Sequence, residues 1–143
     1  MGLLQFLKTA GQKVLGKGDD NLEIERLVQT ELGDQIRNLN VVYENGVVDI
    51  RGDTDSQAVK EKAVLIAGNV LGVEQVKDDN FSAPDEEETE FYTIVSGDTL
   101  SKIAKQYYGD AMKYPVIFEA NREVIKDPNL IYPGQQIRIP KVT

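Results

Sequence analysis

The stretch YTIVSGDTLSKIAKQYYGD, residues 92–110, changes its hydrophobic period part-way along. Phe91 to Val95 is a β-prone run, and Ser96-Gly97-Asp98 breaks it as a turn. Thr99 then supplies an N-cap oxygen, and Leu100, Ile103, Ala104 and Tyr107 recur at i, i+3, i+4 and i+7 as one face of a helix closed by Gly109. A second helix is expected from Tyr114 to Ala120, with Pro115 in the first turn, where a missing N–H does no harm. The loop Asn121 to Tyr132 leads through Pro133-Gly134 to a strand at Gln136 to Ile139. Residues 91–143 therefore read as β-α-α-β, with both strands in one small antiparallel sheet.

Upstream, Leu22, Ile24, Leu27, Val28 and Leu32 line one side of a helix that starts near Asp20 or Asn21 and stops at Gly33. Two β-prone runs, Val41 to Tyr43 and Val47 to Arg51, flank Glu44-Asn45-Gly46, and the Asn-Gly pair marks a hairpin. Asp55 or Ser56 caps a second helix with Val59, Ala63, Ile66, Ala67 and Val70 on one face, which Gly72 is expected to end. Val73 to Lys77 returns as a third strand. The chain is thus α+β: an α-β-β-α-β unit within residues 1–77, preceded by an N-terminal helix, and a β-α-α-β unit at 91–143.

Between them, residues 78–90, DDNFSAPDEEETE, carry seven acids and no base, against a net charge of −8 for all 143 residues. Self-repulsion and one proline make this stretch an extended, solvated linker. The calcium-loop spacing of acids is missing from it. The overall acidity argues against nucleic acid as a partner, because nonspecific binding needs lysine and arginine to neutralise phosphates. With no cysteine and no histidine, the chain has no thiolate or imidazole ligand, nucleophile or base. Asp98, Asp110 and Glu119 are too dispersed to form a catalytic carboxylate pair, so no catalytic residue or organic cofactor is nominated.

The opening MGLLQFLKTAGQKVLGK has no long apolar run or small-residue cleavage site, and Phe6 replaces the Ser or Thr that myristoylation of Gly2 requires. No stretch approaches the length of a membrane span. Leu3, Leu4, Phe6, Leu7 and Ala10 fall at helical spacing, which predicts a short amphipathic helix stopped at Gly11, packed on the body of the protein or lying on a membrane surface.

Residues 92–110, FEAN at 118–121 and IYPGQQIRIP at 131–140 closely resemble a LysM domain. NGVVDIRGDTDS at 45–56, the helix after it and LGVEQVKD at 71–78 resemble a BON domain. The combination, together with the amino-terminal stretch, resembles the small cytoplasmic BON-LysM potassium-binding proteins of bacteria. That resemblance implies a non-enzymatic cytoplasmic protein that buffers or senses K+ and compacts when the ion binds, with Rb+ or Cs+ able to substitute. A LysM domain alone implies a different partner, peptidoglycan or another N-acetylglucosamine polymer. Its groove would lie between Gly97, Asp98, Thr99 and Leu100 on one side and Asn129, Leu130, Ile131 and Tyr132 on the other. The same residues also read as fold maintenance, since they form a turn, a helix cap and a strand lead-in.

For the ion, the resemblance supplies the identity and helix electrostatics supply the place. Potassium sites replace water with several carbonyl oxygens rather than dense carboxylates. The last carbonyls of a helix lack intrahelical donors and carry the negative end of its dipole. Two glycine-marked helix ends are expected, Leu7 to Gln12 and Gly68 to Val73, with Gly68 offering a spot free of side chain. The candidate ligands are backbone carbonyls of Leu7, Ala10, Gln12, Gly68, Val70 and Val73. Gly11 and Gly72 as plain C-caps are the competing reading.

Overall fold

The computed structural model describes residues 3–7, 9–11, 13, 15–16, 18–84 and 89–141. The first unit is a five-stranded sheet with two helices on one face. Helix α1, Asp20–Leu32, is capped by the Asp19 carboxylate, which accepts from the N–H groups of Asn21 and Leu22. Strands β2, Arg37–Glu44, and β3, Val47–Asp53, form the hairpin turned by Asn45 and Gly46. Both turn residues have positive φ, 50° and 81°, which matches the twist of a two-residue hairpin.

Helix α2, Gln57–Gly68, is capped by Ser56, whose hydroxyl accepts from Val59 N–H. Strand β4, Gln75–Lys77, then pairs parallel with β3. Ile24, Val28 and Leu32 of α1 and Val59, Ala63, Ile66 and Ala67 of α2 share one core with Val41, Val48, Ile50 and Val76 of the sheet. Nearly every residue of the last three turns of α2 is buried, including Leu65 and Glu61, which marks a helix covered on more than one side.

Three expectations are corrected. The amino terminus is not helical at Leu3–Gln5: these residues form β1, antiparallel to β4, so the sheet order is β1-β4-β3-β2. Next, α2 ends at Gly68 with Asn69 as its C-cap, four residues before Gly72, because Val70 and Val73 turn inward into the core. Finally, the acidic stretch is not solvated throughout. Phe81–Ser82 is a further strand, β5, parallel to β3, and Phe81 is 2% exposed in the core of the first unit. Burying one aromatic ring outweighs the repulsion that would extend the chain there.

The second unit has the expected β-α-α-β order: β6, Glu90–Thr93; α3, Leu100–Tyr108; α4, Tyr114–Ala120; and β7, Gln136–Ile139. Thr99 caps α3 through Lys102 N–H, and Gly109 closes it in the left-handed conformation. Ile94, Leu100, Ile103, Ala104, Ile117, Ile125, Ile137 and Ile139 make a separate core. All four β7 residues are buried, because one side of the strand faces β6 and the other faces α2. Among the described residues, no helix is long and apolar enough to cross a membrane.

Candidate functional site

The amino-terminal segment reaches the end of α2 by three steps. Phe6 N–H donates to the Glu74 carbonyl at 2.8 Å, which carries the β1–β4 pairing one residue further. The Phe6 ring then drops into the core against Gly68, where a Cβ would overlap the ring. Past Leu7 the chain turns, with Ala10 N–H donating to the Leu7 carbonyl at 3.1 Å. Gly11, at φ +123°, lies flat on the turn after α2: a Cβ there would be 2.7 Å from the Asn69 carbonyl carbon and 2.9 Å from Leu71 N. Glycine is needed at this position both for its φ and for the close approach.

The two segments named for the ion are therefore in backbone contact, with a turn after β1 in place of the amino-terminal helix end and the end of α2 on the other side. Leu7 and Ala10 lie on one side, and Gly68, Val70 and Val73 on the other; Gln12 lies outside the described residues. Gly68 is the last residue of α2, so its carbonyl is among those left without an intrahelical donor. The Val70 carbonyl accepts Val73 N–H at 3.0 Å, and the Gly72 carbonyl accepts the Tyr43 hydroxyl at 3.2 Å. Each bonded carbonyl keeps a second lone pair. The side-chain-free face of Gly68 is filled by the Phe6 ring. Among the described residues no three His, Cys, Asp or Glu side chains are grouped to hold a metal.

The same turn holds the second unit. The Asn69 side chain donates to the Gln136 carbonyl at 2.7 Å and accepts Gln136 N–H at 2.9 Å. Gln136 in turn donates from its side-chain amide to the Gln5 carbonyl at 2.9 Å. Nearby, Leu7 and Ala10 pack on Gly134, where a Cβ would be 2.7 Å from the Ala10 Cβ. Farther along α2, Glu61 and Arg138 form a buried ion pair at 3.0 Å, 1% and 8% exposed, and Glu61 also accepts Thr89 N–H. The pairs Lys62–Glu123, 3.1 Å, and Lys126–Glu31, 2.8 Å, close the rim. The sequence periods mark none of these contacts, since residues 69 and 136 are far apart along the chain.

Beside this interface a cleft of about 310 Å³ runs between the units, walled by Leu27, Ile66, Val124 and Tyr132. Burial there raises the Tyr132 hydroxyl pKa above its ordinary value. The other residues of the expected sugar groove have structural work. Gly97 turns the chain at φ +91°; Asp98 accepts from the Tyr92 hydroxyl at 2.6 Å and Val95 N–H at 2.9 Å; Thr99 caps α3; and Leu100 is in the core. Hydrogen bonding to Asp98 is the main reason that the Tyr92 pKa is pushed up to about 12. Across from them, Asn129 N–H donates to the Asp127 carboxylate and Leu130 N–H to the Asp127 carbonyl. Leu130 is 69% exposed and Ile131 packs against the second core.

Residues 20–83 match the BON domain and residues 92–140 the LysM domain. The potassium binding protein Kbp of Escherichia coli O6:H1 is 41% identical over 149 aligned residues, covering 99% of this chain and 99% of that protein. An uncharacterized protein of Deinococcus radiodurans is 37% identical over 71% of this chain and 44% of its own length. The uncharacterized protein YqbP of Bacillus subtilis is 32% identical over 69% of this chain and 48% of its own length. With a BON and a LysM domain in one chain and a 41% identical relative aligned over 99% of both proteins, the chain belongs to the family that includes the E. coli potassium binding protein Kbp.

Proposed function

We propose that this chain is a non-enzymatic, cytoplasmic potassium-binding protein, a buffer or sensor whose two units pack more tightly when the ion binds. The observation that carries the reading is Gly11 seated on the Asn69–Leu71 backbone, which gathers carbonyl-bearing turns from two distant segments. Ligands drawn from Leu7, Ala10, Gln12, Gly68, Val70 and Val73 would give a carbonyl cage without carboxylates. Such a cage suits large, weakly hydrated K+, and Rb+ or Cs+ as substitutes, better than Na+ or Mg2+. The relative named as a potassium binding protein supports the choice of ion.

The interface between the units also supports a switch. It combines ion pairs and amide hydrogen bonds with the apolar contacts of Phe91 and Val124 on the first core, and the polar share is what lets an intramolecular interface open and reclose. An ion that binds only the docked arrangement stabilises it by about 2.7 kcal/mol at a hundredfold excess over its dissociation constant. Calorimetric titration of the full chain with potassium, sodium and calcium tests the reading. Heat of binding is expected for potassium alone, and equal heats for sodium and potassium would sink it. Cell fractionation tests the compartment. Peptidoglycan binding through the LysM unit is the alternative, favoured only by the exposure of Leu130, and a pull-down on cell-wall polymer decides it.

A further inference from the structure

The ion pairs between the units start from α1 and from the middle of α2, where Glu31, Glu61 and Lys62 stand on rigid helix. Asn69 is different. Its backbone lies in the turn that bears the candidate ion ligands, between Gly68 and Val70, with Gly11 against its carbonyl. Its side chain, 6% exposed, reaches the other unit and engages both polar groups of one residue, Gln136. A short amide that donates and accepts at once tolerates little displacement, because both bonds weaken steeply with distance and angle.

The circuit is closed by Gln136, whose side chain donates to the Gln5 carbonyl, just ahead of Phe6 and Leu7. The amino-terminal segment, the turn after α2 and β7 are thus tied pairwise. A displacement of the turn moves Asn69 and so misaligns the Gln136 bonds, while the ion pairs on the helices can stay in reach.

We propose that Asn69 is the positioning residue through which ion occupancy reaches the LysM unit. The ion fixes the backbone on either side of Asn69, the fixed backbone aims its amide, and the amide holds β7 in the docked place. This rests on the potassium reading above. By linkage, the affinity that docking lends the ion is lost when the link is cut.

Two substitutions test the link from opposite sides. Asn69→Asp keeps the shape but replaces the donor to the Gln136 carbonyl with an acceptor. Gln136→Pro removes the N–H received by Asn69, together with the side-chain donor to the Gln5 carbonyl, and changes no residue of the turn after α2; that N–H points away from β6, so the β6–β7 ladder survives. Circular dichroism checks that each variant is folded. Calorimetry with potassium chloride and small-angle scattering in potassium and in sodium at matched ionic strength are then compared with the unsubstituted chain. Both variants are expected to bind potassium about five- to tenfold more weakly and to have the same radius of gyration in the two salts. Glu61→Gln, which loosens the interface away from the turn, is expected to preserve a difference between salts. Variants that compact in potassium as the unsubstituted chain does would overturn the proposal. So would loss of all potassium binding in both, which would make Asn69 and Gln136 parts of the ion site itself. Absence of potassium heat in the unsubstituted chain would overturn the potassium reading, a result separate from these.

Discussion

Phe6 occupies the space that a side chain at position 68 would fill. In an exposed helix, Gly68→Ala would stabilise by about 1 kcal/mol through helix propensity. Here the added methyl expels a buried ring, which costs about 2–3 kcal/mol and loosens β1 with it. Gly68→Ala is therefore expected to lower the melting temperature. In a Phe6→Ala background, where only propensity is left, the same change is expected to raise it. A thermal double-mutant cycle reads the sign, and destabilisation in both backgrounds would show that the ring is not the reason for the glycine.

Gly11→Ala addresses the proposed ion site more directly. The new Cβ would press on the Asn69 carbonyl carbon at 2.7 Å and would sit at φ +123°, so the amino-terminal turn must lift away from the turn after α2. Potassium affinity measured by calorimetry is expected to fall more than about tenfold, with the helix content of the first unit retained. Unchanged affinity would place the ion elsewhere.

Glu61 and Arg138 are both nearly excluded from solvent. Removing one partner of such a pair ordinarily costs about 3–5 kcal/mol, because the other charge is left buried. In this protein the partners belong to different units, so a stranded Glu61 regains water if the units part. Arg138→Met is expected to separate the units before it unfolds either one. The radius of gyration should rise while the far-ultraviolet dichroism spectrum holds; a lower melting point with no expansion would contradict this.

The hydrogen bond from Tyr92 to Asp98 sets an alkaline limit on the second unit. It raises the Tyr92 pKa from 10 to about 12, with desolvation as the second cause. Folding therefore favours the protonated phenol. The contribution to stability is fully present below pH about 10 and is lost as pH rises through about 12. Tyr92→Phe is expected to lower stability near neutral pH by about 1 kcal/mol and to flatten the decline above pH about 10. Urea midpoints across that range, with tyrosinate absorbance followed in parallel, provide the check.

The second unit was legible because every signal in it is local: the Thr99 cap, the Leu100–Tyr107 stripe and the Gly109 stop each lie within a turn or two of what they control. The amino terminus misled for the opposite reason. Leu3 to Ala10 have helical spacing, but an open edge of β4 and a socket at Gly68 offer the segment more than a lone helix could. Phe81 was hidden by seven surrounding acids, since a charge average is blind to one ring. That Gly11 would lie near the turn after Gly68 could be expected from glycines and a family likeness. The amide grip of Asn69 could not, because an asparagine after a helix end looks like any other cap until the residue it faces, in another unit, is known.

Strand β7 has one edge on β6; on the other, the outward N–H and C=O of Gln136 are taken by Asn69 and those of Arg138 by Asn121. Asn121 belongs to the same unit and stays with the strand, whereas Asn69 leaves if the units separate. Separation would then bare half of a strand edge, a template on which other chains pair and aggregate. On the proposed reading, in which the ion closes the molecule, solubility would follow the closed form, and protein short of the ion would be stickier than protein that is replete.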